Sequence, residues 1–186
     1  YKSLGLFTSK DDRNGDGIIN SADGYNITQF GTLSPGDIKY ADVSGPEGKP
    51  DGKIDSNDEV VIGYPVYPAM TFGLTGVASW KGFDLNLFFQ GSAMVSRDIG
   101  NFQTVAFQNN KSSTDYEYYN NHWSPTNDNA RYPRANTSPS ANNTQISDFW
   151  IVNTSHLRLK TASFGYTIPS RVTKLFKIQN VRVYCL

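Results

Sequence analysis

From Ala69 to Trp80 apolar and polar positions alternate: Met70, Phe72, Leu74, Gly76, Ala78 and Trp80 fall on one side, and Thr71, Gly73, Thr75, Val77 and Ser79 on the other. After the pair Lys81 and Gly82 the alternation resumes, with Phe83, Leu85, Leu87 and Phe89 set against Asp84, Asn86, Phe88 and Gln90. A period of two broken by a two-residue glycine turn predicts an antiparallel hairpin. Two further strands are expected in "SHLRLKTASFGYTIP" and "NVRVYCL", joined through "SRVTKLFKIQ", which has room for one helical turn. The hairpin strands run for about nine to twelve residues, the length a tilted strand needs to cross a bilayer. A soluble sandwich shows the same alternation, so the pattern alone divides evenly between sandwich and barrel, and strand length tips it toward a barrel.

The remainder lacks a period. Residues 1 to 68 are interrupted by "GDG", "SPGD", "GPEGKPDG" and "YPVYP" before any helix can run, and residues 92 to 148 are rich in Asn, Ser, Thr and Tyr. More than fifty aperiodic residues are unusual inside a compact domain. Outer-membrane barrels, in contrast, carry long loops outside the cell and short turns on the other side. The expected division is a loop region over 1–68 and strands over 69–186, the latter interrupted by the long loop at about 92–148. The expected fold class is all-β: antiparallel strands and long extracellular loops forming part of a large transmembrane β-barrel.

Composition narrows the function classes. Seventeen basic residues balance seventeen acidic ones, so no net field draws the chain to nucleic acid. Aromatics reach 13% while charges reach only 18%, a mixture suited to strands and polar loops. The single cysteine, Cys185, excludes an internal disulfide and is expected as a buried small hydrophobe in a strand. No apolar run approaches the roughly 20 residues of a membrane helix. Tyr1 opens the chain and a strand pattern closes it, so a piece of a longer polypeptide is expected. His122 and His156 stand apart with no nucleophile or metal spacing beside them, and no glycine-rich phosphate loop precedes a helix, so no enzyme is expected.

"DDRNGDGIINSAD" places oxygen donors at the intervals of a twelve-position calcium loop. Asp12, Asn14 and Asp16 take positions 1, 3 and 5, Gly17 makes the sharp turn, and Ile18 offers a carbonyl. Ile19 pins the loop, Asn20 sits at position 9, and Asp23 closes it. The helices of an EF-hand are missing from the flanks, which makes calcium a structural fastener and not a signal. With only three carboxylates the affinity should be about 10⁻⁴ to 10⁻³ M, the extracellular regime. "DVSGPEGKPDGKIDSND" reads as the same loop with five residues inserted after Gly45: Asp42 and Ser44, then Asp51, the Lys53 carbonyl, Asp55 and Asp58, with Gly52 at the turn. In the long loop, Tyr116, Tyr118, Tyr119, Trp123 and Tyr132 are candidate stacking residues for a sugar or peptide.

"PGDIKYADVSG", "DGKIDSNDEVVIGYPVYP" and "TFGLTGVASWKGFDLNLFFQGS" together resemble the C-terminal part of the SusC/RagA family of TonB-dependent outer-membrane transporters of Bacteroidetes. "RDIGN", "NNHWSPTNDNARYPR", "SDFWIVNTSHLRLKTASFGYTIP" and "IQNVRVY" continue the resemblance in order, over residues 1–8 and 33–186. Residues 9–32 look like an insertion, whereas the family's own acidic loop corresponds to Asp42–Asp58. The resemblance implies a barrel of about 22 strands with a plug, importing oligosaccharides or peptides beneath a SusD-like surface lipoprotein. It also implies coupling to the TonB complex through N-terminal parts that this chain lacks, and a bacterial outer-membrane location with extracellular loops. On that basis Asp84, Asn86, Gln90, Arg158 and Lys160 should face the lumen, and Leu157 and Leu159 outer-membrane lipid. The competing expectation is a soluble, secreted, calcium-stabilised β-domain that binds glycans.

Overall fold

A computed structural model describes residues 1–100, 114–138 and 140–186. In chain order the elements are β1 (Ser3–Leu6), β2 (Ile38–Tyr40), β3 (Met70–Trp80), β4 (Phe83–Ala93), β5 (Ser96–Asp98), α1 (Tyr116–Asn121), β6 (Ile151–Asn153), β7 (His156–Thr167), α2 (Ser170–Thr173) and β8 (Arg182–Cys185). Among the described residues three short 3₁₀ turns are added to these, Ser21–Asp23, Ser56–Asp58 and Lys174–Phe176. The strands form one four-stranded sheet ordered β3-β4-β7-β8 and two pairs, β1-β2 and β5-β6. None of the described helices is long and apolar enough to cross a membrane.

The chain divides into two units. One comprises residues 1–63 and 97–152, the other 64–96 and 153–186. The stretch expected as a bare loop over 92–148 instead contributes much of the first unit, because it carries side chains that complete a core. Ile38, Tyr40 and Ile54 from the early segment bury with Tyr118, Tyr132 and Trp150 from the late one. Phe7, Ile19 and Leu33 form a smaller cluster with Tyr25. With little regular structure, the backbone here finds partners among buried amide side chains. Gln29 accepts from the Tyr40 N–H and donates to the Ile38 carbonyl and to Asn142. Asn143 accepts from the Ile38 N–H and donates to Asp37, which is fully buried and paired with Arg134 at 2.9 Å.

In the second unit the expected hairpin forms. Its register runs from Met70↔Ala93 to Trp80↔Phe83. Lys81 and Gly82 both lie in the left-handed region (φ 47° and 89°), so the turn twists with the strands it joins. Strand β7 pairs antiparallel with β4, and β8 with β7 through Phe164↔Cys185 to Thr167↔Arg182. "SRVTKLFKIQ" supplies α2 and the 3₁₀ turn, as its length suggested. The sheet does not close on itself: β3 and β8 are its edges. Cys185 lies in a strand as expected, yet it is exposed, because nothing in this unit covers that face of the edge strand.

Candidate functional site

The two acidic stretches fold alike. In the first, Asp12 accepts from the Gly15 and Gly17 N–H groups at 2.8 and 2.9 Å, and Asp16 accepts from Ile18 at 2.8 Å. Asp23 reaches back to accept from Arg13 at 2.8 Å, Asn14 at 3.2 Å and Asn20 at 3.1 Å. Asn20 in turn caps the 3₁₀ turn through the Ala22 N–H. In the second, Asp42 accepts from Gly52 at 2.7 Å, and Asp51 from Lys53 at 3.0 Å. Asp58 accepts from Val43 at 2.8 Å, Ser44 at 3.0 Å and Asp55 at 3.0 Å, and Asp55 caps Asn57. Gly17 and Gly52 occupy equivalent corners at φ 79° and 84°, a conformation a side chain would strain. Ile19 and Ile54, two residues later in each loop, are buried. The insertion, residues 46–50, loops out and is closed by the Gly48 N–H on the Gly45 carbonyl.

Electrostatics follow from this wrapping. Burial pushes the Asp23 carboxyl up, but the N–H groups of Asn20, Asn14 and Arg13 outweigh it and hold the group below its ordinary value. Asp58 behaves in the same way: burial raises it, and the N–H groups of Asp55, Ser44 and Val43 outweigh that and hold it below its ordinary value, with the Asp42 carboxyl facing it. Two ionised carboxylates in contact repel unless a proton or a cation lies between them. Asp42 Oδ1 is buried and has no hydrogen-bond partner. Among the described residues no three Asp, Glu, His or Cys side chains gather at one point, since the loop carboxylates are turned toward backbone N–H groups. The donors available, Asp12, Asn14, Asp16, Asn20 and Asp23 with the Ile18 carbonyl, and Asp42, Ser44, Asp51, Asp55 and Asp58 with the Lys53 carbonyl, are all oxygens. Such a set fits a hard cation.

The five aromatic candidates separate. Tyr118 and Tyr132 are buried in the first unit's core, their hydroxyls donating to the Pro133 carbonyl and to Glu117. Their rings are taken up within the unit, Tyr118 stacking on His122 and Tyr132 lying under the Arg131 guanidinium. Trp123 donates its indole N–H to Asp128 at 3.0 Å and is half-buried. Only Tyr116 and Tyr119, on one side of α1, are exposed, with ring centroids 6.4 Å apart.

The four-stranded sheet has two chemically opposite faces. Residues paired across strands share a face, so Met70, Phe72, Leu74, Ala78 and Trp80 join Phe83, Leu85, Leu87 and Phe89 of β4. The register of β7 adds Leu157, Leu159, Ala162, Phe164 and Tyr166, and β8 adds Val183 and Cys185. No charged or amide side chain interrupts this face. Leu157 and Leu159 cannot share a face with Phe164 by simple alternation. The sequence pattern missed the bulge that makes it possible: pairing jumps from Phe88↔Thr161 to Phe89↔Leu159, leaving Lys160 as the extra residue. The opposite face carries Asp84, Asn86, Gln90, Arg158, Lys160 and Arg182, with Val77 and Phe88 as its apolar members. Lys160 donates to Gln90 at 3.0 Å, and Arg182 pairs with Asp84 across the intervening strand. Gly165 lies beneath that pair: a Cβ there would stand 2.7 Å from both Asp84 oxygens and 2.9 Å from Arg182 Nε.

No family model matches the chain. Over 157 residues, 84% of its length, it is 33% identical to TonB-dependent receptor P3 of Formosa agariphila. It is 29% identical over 150 residues, 80% of its length, to TonB-dependent receptor P26 of the same organism. The chain spans only 14% of the length of each relative. Among solved structures it is similar to the RagAB peptide transporter, at 24% identity and a TM-score of 0.54, covering 72% of this chain and 15% of that one. It is also similar to the RagAB peptide importer in the closed-closed state, at 25% identity and a TM-score of 0.51, covering 75% and 15%. These proteins are receptors and transporters, not enzymes.

Proposed function

The chain is homologous over most of its length to TonB-dependent receptors, and we propose that it supplies wall strands and outer loops to an outer-membrane nutrient importer. The observation that carries this reading is the two-faced sheet. Its apolar face runs unbroken across four strands and suits lipid, and its polar face suits a water-filled lumen. A soluble glycan-binding domain would leave that whole face against water. The short Lys81-Gly82 turn then belongs on the periplasmic side, and the long loops outside the cell. Cargo is an oligosaccharide or a peptide, the peptide being favoured by the likeness to a peptide importer. A SusD-like lipoprotein is the expected partner at the outer surface, and coupling to the TonB complex falls to segments beyond this chain.

Fractionation of source cells, with an immunoblot against residues 114–135, tests the reading. A polypeptide far above 20.7 kDa in the outer membrane is expected, and its epitope should be reached by antibody on intact cells. A soluble band near 20.7 kDa sinks the proposal.

Calcium in the two acidic loops is a second part of the proposal, supported by the unpartnered Asp42 Oδ1 and by the repeat of one donor pattern in both loops. Bound calcium would tie the loop ends together and so favour the folded state. Millimolar calcium should raise the melting temperature of the detergent-solubilised importer, and EDTA should reverse the rise. Asp42→Asn should remove part of the increment. A melting temperature indifferent to calcium in the wild type refutes this part alone.

A further inference from the structure

The polar face of the sheet is not evenly charged. Its titratable groups are Asp84 on β4, His156, Arg158 and Lys160 on β7, and Arg182 and Tyr184 on β8, while β3 contributes Thr71, Gly73, Thr75, Val77 and Ser79. Asp84 is the one carboxylate among the described residues of this face, and Arg182 holds it in an ion pair near the short-turn end. Toward the other end, Arg158 stands opposite Gln90, exposed and without an ion-pair partner among the described residues. Lys160, also exposed, donates to the neutral Gln90 and has no ion-pair partner among the described residues. The bulge matters here as well, since it keeps both cations on the polar face while the apolar face stays in phase.

We infer that Arg158 and Lys160 form a cationic strip on the lumen wall that selects peptides bearing carboxylate side chains. The inference rests on the importer reading. An ammonium and a guanidinium offer N–H donors and no acceptor, so their complement is an anion, and the planar guanidinium accepts a carboxylate by two parallel bonds. The Gln90 and Asn86 amides on the same face can donate to and accept from peptide groups, and the likeness to a peptide importer favours a peptide over an acidic oligosaccharide. Within a narrow low-dielectric passage such a strip concentrates anions and speeds their entry.

The test uses cells expressing the full-length importer. Mass spectrometry follows loss from the medium of an Asp/Glu-rich hexapeptide, its Asn/Gln counterpart and an oligogalacturonate. The wild type should take up the acidic peptide at least about threefold faster than the neutral one, and added salt should erase the difference. Arg158→Gln with Lys160→Gln should abolish the preference by slowing uptake of the acidic peptide, and Arg158→Lys with Lys160→Arg should retain it. The salt dependence of the wild type decides the matter even where the double variant fails to assemble. Equal wild-type rates for the two peptides overturn the charge inference and leave the importer reading standing. Preference for the oligogalacturonate over the acidic peptide overturns the peptide assignment. Uptake of none of the three overturns the importer reading and this inference with it.

Discussion

Asp23, Asp58 and Asp128 show how single carboxylates organise a region poor in helix and strand. The first two gather three backbone N–H groups each from residues that no regular ladder satisfies. Asp128 accepts from the N–H and hydroxyl of Ser9 and from the Trp123 indole, and chiefly the Ser9 N–H bond lowers its pKa. All three are held below the ordinary carboxylate value, so their folded forms bind protons less readily than the unfolded chain. Their stabilisation is therefore complete above about pH 4, the unfolded value, and is lost as pH falls through the depressed folded values. Tryptophan fluorescence of the detergent-solubilised protein should stay constant from pH 7 to about pH 5 and change only below about pH 4. A transition centred above pH 5 would assign acid sensitivity to other groups. The positions of Asp23 and Asp58 were legible from spacing alone, whereas nothing in the sequence marked Asp128. The N–H partners of the first two were not legible, because a calcium loop and a self-capped turn use the same residues.

At the scale of elements, β3 and β4 emerge from the sequence nearly as they stand, since a period of two with a Lys-Gly turn leaves little choice of register. Strand β7 is different. Strict alternation would group Thr161, Ser163 and Gly165 with Leu157 and Leu159, which would mix polar side chains into the apolar face. The bulge at Lys160 shifts the phase and groups Ala162, Phe164 and Tyr166 with the leucines instead. A clue was present in the switch from apolar odd positions before 160 to apolar even positions after it. The two phases make opposite predictions. Leu159→Arg and Ala162→Arg should each cost about 2–4 kcal/mol near the bilayer midplane, and Thr161→Arg should be tolerated. Heat-modifiability of the outer-membrane protein on gels reads assembly directly. Thr161→Arg failing while Ala162→Arg assembles would remove the bulge from the account.

At the scale of the molecule, the first unit depends on segments nearly a hundred residues apart in sequence. Asp37 is fully buried, accepts from the Ser34 N–H and from Asn143, and pairs with Arg134. Asp37→Ala strands those donors, although Arg134 retains some access to water, so the loss should be near the lower end for a broken buried pair, about 3 kcal/mol. Limited proteolysis of intact cells should then cut within residues 114–152 faster than in wild type, and equal cleavage would show that the apolar cluster alone holds the segment.

The sequence by itself determined the all-β class, the hairpin, the two acidic loops and the alternation that separates an apolar face from a polar one, because these are local and are written in spacing. Only the tertiary structure decided that Tyr118 and Tyr132 belong to a core, that residues 97–152 fold with 1–63, and that a bulge keeps the apolar face continuous. Burial and register depend on which distant segments meet. In a stretch without period, polar and aromatic residues give the same pattern whether they face water or complete a core.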